Sequence, residues 1–138
     1  MGMSYSNGEW SWNNAGSLTN ESFENWAEGH PHAGMKVAFM VFSDGAQWQS
    51  STFYPGVPIC EKTQDKTVPT TQPAKSTNIL DKGCSPPWVQ IHDGCYQIPK
   101  AEFAGFWDHG EKFCHEQGGY LVEINTSEEQ DRLTGDCL

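Results

Sequence analysis

The chain has no apolar stretch long enough to span a bilayer, no C-x-x-C pair and few basic side chains. A spanning helix needs about 20 consecutive apolar residues, so no membrane insertion is expected of this segment. The five cysteines, Cys60, Cys84, Cys95, Cys114 and Cys137, show no zinc-type Cys/His spacing. Scattered cysteines fit disulfides of an oxidising compartment better than a metal site. Eight Lys and Arg against 18 Asp and Glu leave a formal charge of −10. Such a field repels phosphate backbones, so nucleic acid is not an expected partner. There is no G-x-S-x-G, no H-E-x-x-H and no phosphate loop, and no enzyme is expected. The opening residues MGMSYSNGEW have neither a basic nor an apolar signal region. The signal peptide of a secreted protein is therefore expected to lie outside this chain.

Aromatic side chains dominate what is present. Among 138 residues, 36% are hydrophobic, with six Trp, seven Phe and four Tyr. Mean hydropathy is −0.63. Each buried ring removes a large apolar area from water, so an aromatic core is expected. Two N-x-S sequons, at Asn20 and Asn125, agree with a secretory route and an extracellular location. Gly2 with Ser6 matches the N-myristoylation pattern, but patterns this short match often by chance.

Three regions follow one another. Residues 1–62 carry turn signals at Asn7-Gly8 and Asp44-Gly45. The apolar run Val37–Phe42 between them predicts a buried strand, hairpinned to a second around Trp48. A third strand is expected to end at Val57–Cys60. Residues 63–83 (TQDKTVPTTQPAKSTNILDKG) have almost no large apolar side chain and read as a linker. In residues 84–138, Asp93-Gly94 predicts a turn that brings Cys84 and Cys95 together on a short hairpin. The stripe Phe103, Phe106, Trp107, Gly110, Phe113 and Cys114 predicts a helix over 101–117, stopped by Gly118-Gly119. A second helix is expected to start near Thr126, where Thr126…Glu129 and Ser127…Gln130 have capping-box spacing. The acidic residues Glu128, Glu129 and Asp131 there read as favourable charge at the positive end of that helix.

Both flanks resemble the C-type lectin-like domain family. Residues 84–133 resemble the beginning of such a domain through Cys84, Trp88, Cys95-Tyr96, Trp107, Cys114, Gly118-Gly119, Leu121, Ile124 and the Ser127–Gln130 helix start. Residues 9–62 resemble its end through Glu9-Trp10, Trp12, Asn25-Trp26, Pro31, Val37, Trp48 and Ile59-Cys60-Glu61. The ending half thus comes first, and the family's central Trp-Ile-Gly strand is not recognised anywhere. The resemblance implies an α+β fold of two helices packed with antiparallel strands and stapled by disulfides. It also implies a bond between Cys60 and Cys114. Two arrangements stay open: a segment spanning the junction of two tandem domains, or a circularly permuted single domain. In the first, Cys60, Cys114 or Cys137 could pair between chains, as in a domain-swapped dimer.

The resemblance also locates a ligand loop. The family's calcium-dependent sugar site uses a Glu-Pro-Asn or Gln-Pro-Asp triplet and a Trp-Asn-Asp motif. Here those positions read His30-Pro31-His32 and Trp48-Gln49-Ser50. Imidazole is a poor ligand for hard Ca²⁺, so neither calcium nor another cofactor is expected in residues 1–62. The expected role is extracellular recognition of a glycan or protein by exposed aromatics of this loop, with Pro31 in the cis form. The alternative is a structural spacer within a multidomain protein. Two histidines alone do not supply a transition-metal site.

Overall fold

The computed structural model describes residues 1–19, 21–53, 55–63, 84–92 and 94–136. The sequon residue Asn20, the linker from 64 onward, Asp93 and Cys137 lie outside them. Asn7 and Gly8 adopt φ values of 53° and 91°, the left-handed pair that a tight two-residue hairpin needs. They join strand β1 (Met3–Ser6) to β2 (Glu9–Trp12). Strand β3 (Gly16–Ser17) pairs with β2. Strand β4 (Val37–Val41) leads through a 3-10 turn at Phe42–Asp44 into β5 (Gln47–Ser51). The sheet order is β3-β2-β1-β4-β5. Its centre is therefore the start of the chain, where the sequence offered no Trp-Ile-Gly motif to identify it. Gly2 is packed so closely that an added Cβ would lie 2.7 Å from the Leu121 carbonyl oxygen.

A second sheet is drawn from both flanks. Strand β6 (Cys60–Thr63) comes from the first; β7 (Val89–Ile91), β8 (Gly94–Gln97) and β9 (Tyr120–Leu121) come from the second. Their order is β7-β8-β6-β9, so β6 is sandwiched between strands more than 30 residues away in sequence. The strand begins at Cys60, whereas sequence reasoning ended it there. Pro58 lacks the N–H a ladder requires, which delays pairing until the next residues. It also runs to Thr63, the first position assigned to the linker.

Helix α1 (Trp107–Glu116) is shorter than the expected 101–117. A 3-10 turn occupies Ala101–Phe103, and Gly105 then pairs with Gly56 through two backbone hydrogen bonds of 3.0 Å. That bridge demands extended backbone and postpones the helix. Phe106 is consequently exposed rather than part of a buried stripe, while Gly110 and Cys114 are buried. Gly118 at φ 85° ends α1. Gly119 then passes so close to β6 that a Cβ would sit 2.5 Å from the Glu61 oxygen and the Trp88 ring. Helix α2 (Ser127–Asp136) starts as the capping spacing predicts, with the Glu129 N–H donating to Thr126 Oγ1 at 3.1 Å.

Residues of both flanks share two apolar clusters. Met3, Trp12, Ala38, Trp48 and Ile59 pack with Ile91, Tyr96, Val122, Ile124 and Leu133. Cys60 packs with Trp88, Cys95, Cys114 and Leu121. Disulfides join Cys60 to Cys114 across 54 positions and Cys84 to Cys95 across 11. The first of these bonds ties a cysteine of the first flank to one of the second. The Gly2 N–H donates to Val122 O and the Val122 N–H to Ile59 O, each at 2.8 Å, so the two sheets are laced at the same point.

Candidate functional site

The loop that sequence comparison assigns to ligand contact lies along β5. Side chains alternate across a strand, and in β5 this buries Trp48 and Ser50 while leaving Gln47 and Gln49 half-buried. Trp48 is fully enclosed. Trp12, Phe23 and Trp26 meet its ring edge-on at 5.6, 5.7 and 5.7 Å. Its Nε1 donates to Gln130 Oε1 of α2 at 2.8 Å. Trp48 is therefore a core residue and not the exposed aromatic contact expected from sequence. Ser50 is withdrawn from the surface too. Of the six expected contact positions, Pro31 and His32 are exposed, and His30 and Gln49 are half-buried.

The edge of β5 explains how the loop is held. An edge strand presents unpaired N–H and C=O groups that must find partners. Here the Trp48 N–H donates to Asn25 O at 2.7 Å and the Ala27 N–H to Trp48 O at 2.8 Å. One step further on, the Ser50 N–H donates at 3.0 Å to Nδ1 of His30. An imidazole nitrogen thus takes the place of the next backbone carbonyl. The Ser50 hydroxyl oxygen lies 3.1 Å from the same Nδ1 and accepts the His32 N–H at 2.8 Å. The intervening His30-Pro31 peptide is cis, and the two rings lie 4.1 Å apart.

That bonding fixes the chemistry of His30. A backbone N–H can only donate, so Nδ1 must present its lone pair and the ring proton resides on Nε2. His30 then has no free lone pair for a metal, and among the described residues no group of three or more His, Cys, Asp or Glu is placed to hold an ion. Partial burial, then the charge of His32, hold its pKa below the usual histidine range.

A second polar cluster, missed in sequence, joins the flanks on the other side. Glu61 of β6 accepts the Glu123 N–H at 3.2 Å, and Glu123 accepts the Asn14 N–H at 2.6 Å. Glu129 accepts from Tyr96 OH at 3.1 Å and from the Asn125 N–H at 3.0 Å. Burial raises the Glu61 pKa to about 7, with Glu129 and Glu123 adding to the rise against the Glu123 N–H bond. Burial likewise raises Glu123 and, with help from these carboxylates, pushes Tyr120 up to about 12. Sequence analysis named Glu129 only as helix-start charge and Glu61 only within the Ile59-Cys60-Glu61 match; that Glu61 meets Glu123, 62 positions away, has no local signal. The sequon residue Asn125 is exposed beside this cluster.

Among the described residues no helix is long and apolar enough to cross a membrane. Comparison with curated proteins finds partial matches. The chain is 41% identical over 54 residues to Snaclec bitiscetin subunit alpha of Bitis arietans, covering 39% of this chain and 40% of that protein. It is 35% identical over 52 residues to C-type lectin domain family 4 member A of Mus musculus, covering 38% of this chain and 22% of that protein. It is 47% identical over 49 residues to Snaclec B8 of Macrovipera lebetinus, covering 33% and 36% respectively. The chain thus spans well under two thirds of the length of each of these relatives. No family model matches the chain, and no solved structure does.

Proposed function

We propose that this chain, which belongs to the C-type lectin-like family, is a non-catalytic extracellular recognition module that binds a glycan or protein ligand without a calcium-dependent sugar site. The observation that carries the reading is the state of the ligand loop. Where hard Ca²⁺ requires converging oxygen ligands, the loop places the imidazoles of His30 and His32, and His30 is already engaged by Ser50. The partner of the usual triplet, the Trp48-Gln49-Ser50 segment, has its first and last side chains buried. Contact then falls to Pro31, His32, His30 and Gln49 and to the exposed end of the aromatic cluster. There Tyr5, Trp10 and Trp26 follow one another at 5.4 and 5.1 Å between ring centres.

The same reading takes the reversed flanks as one circularly permuted domain in which residues 64–83 join its original ends. Its support is the placement of β6 between β8 and β9 and the Cys60–Cys114 bond. Asn125 and Asn20 are its proposed glycan-bearing positions.

Retention on immobilised glycans and on candidate protein ligands, with and without EDTA, tests the function. Retention unchanged by EDTA is expected. Elution by EDTA would overturn the calcium-independent reading. The burial of Trp48 and Ser50 favours one competing reading, a structural spacer, and absence of retention on either class of ligand would select it.

A further inference from the structure

The His30–Ser50 contact does more than position a loop. The segment 25–32 runs along the free edge of β5 and satisfies it in sequence: Asn25 O takes the Trp48 N–H, Ala27 gives its N–H to Trp48 O, and His30 Nδ1 takes the Ser50 N–H. The first two partners are backbone groups whose state does not change between pH 5 and 8. The third is an imidazole, the side chain that does.

We propose that His30 is a pH-sensitive latch, closing the β5 edge and docking the His30–His32 loop only while its ring is neutral. Protonation places a hydrogen on Nδ1. Two N–H groups then face each other across 3.0 Å, and the buried Ser50 N–H loses its acceptor. The new Nδ1–H can donate to the Ser50 hydroxyl at 3.1 Å, whose oxygen keeps a second lone pair beside the one that takes the His32 N–H, but that bond leaves the Ser50 backbone N–H without an acceptor. The His32 ring lies 4.1 Å away, and its charge opposes a charge on His30. The other charged residues close in sequence, Glu28 and Lys36, are exposed and do not bond to the ring. On β5 the facing group is Ser50, which does not titrate. The sign follows: a histidine whose charged form is disfavoured in the folded state destabilises that state as pH falls through and below its usual range of about 6.5. The loop is therefore docked at neutral pH and released in acid. This mechanism goes beyond the recognition reading and requires no ligand to be bound.

Amide hydrogen exchange with NMR detection tests it without a ligand. At pH 7.5 the long-range ring correlations of His30 should show the Nε2–H form. As pH falls to 5, protection of the Ser50 amide, corrected for intrinsic exchange, should drop about tenfold or more, the loss equivalent to an unpaired buried donor. Protection of the Trp48 amide, bonded to Asn25 O, should change far less. His30→Gln retains an acceptor that does not titrate, so its Ser50 protection should become independent of pH. Ser50 protection in the native protein that does not change with pH would overturn the latch. So would an Nδ1–H form at neutral pH, or the same pH response in His30→Gln. Because no glycan or protein ligand enters the measurement, it can fail while the recognition reading stands, and the reverse.

Discussion

The regions around Trp48 and around Cys60 solve one problem by different means. Each must hold together pieces of chain that are far apart in sequence. Around Cys60 the solution is covalent: the Cys60–Cys114 and Cys84–Cys95 bonds lie in one cluster with Trp88 and Leu121. Around Trp48 there is no cysteine, because the chain has none before residue 60. Four rings packed edge-on and one glutamine serve instead. Gln130 is buried, accepts from Trp48 Nε1 and donates through Nε2 to Ala46 O at 3.1 Å. The comparison shows that a polar side chain with both ends satisfied can position a loop in a region without disulfides.

The sharpest way to break this comparison is to remove that glutamine. Gln130→Leu keeps the volume but strands the buried Trp48 Nε1 and takes one hydrogen bond from Ala46 O. It should cost about 2 kcal/mol in urea unfolding of the oxidised protein, the usual penalty of an unmet buried donor. A loss near zero would mean that the rings alone hold the loop. The Cys60 region should be untouched, with both disulfides intact under non-reducing conditions.

Elements of both regions were legible in the amino-acid sequence where their signals are local. Thr126 and Glu129 mark the start of α2, Gly118 marks the end of α1, and Asn7-Gly8 marks the first hairpin. What escaped depends on partners distant in sequence. The central strand β1 has only Met3 fully buried within it and no β-branched run, so nothing in Met3–Ser6 announces a sheet centre. The start of α1 was set by Gly56, about 50 positions upstream. Trp48 read as a ligand contact because its motif position suggested exposure, yet strand alternation and Gln130 draw it into the core. Glu61 and Glu123 meet only when β6 lies beside β9.

The two regions should also differ in their response to acid. Glu61 has its pKa raised from the ordinary 4.5 to about 7, so the folded state binds more protons than the unfolded chain between those values. Its contribution is favourable below that window and is lost as pH rises through it. Discounted for partial exposure, the effect should be on the order of 1 kcal/mol. Unfolding free energy measured from pH 5 to 8 should therefore fall less steeply in Glu61→Gln than in the native protein. An identical profile would show that the carboxylate cluster is not coupled to stability. The His30 contact has the opposite sign, so acid should tighten the junction of the flanks while loosening the loop.

The central claim is that both flanks build one domain within one chain, and the bond between them tests it most directly. Peptide mapping of unreduced monomer by mass spectrometry should recover Cys60 linked to Cys114, with Cys84 linked to Cys95. Recovery of Cys60 as a free thiol, or linked to a second chain in a covalent dimer, would contradict it.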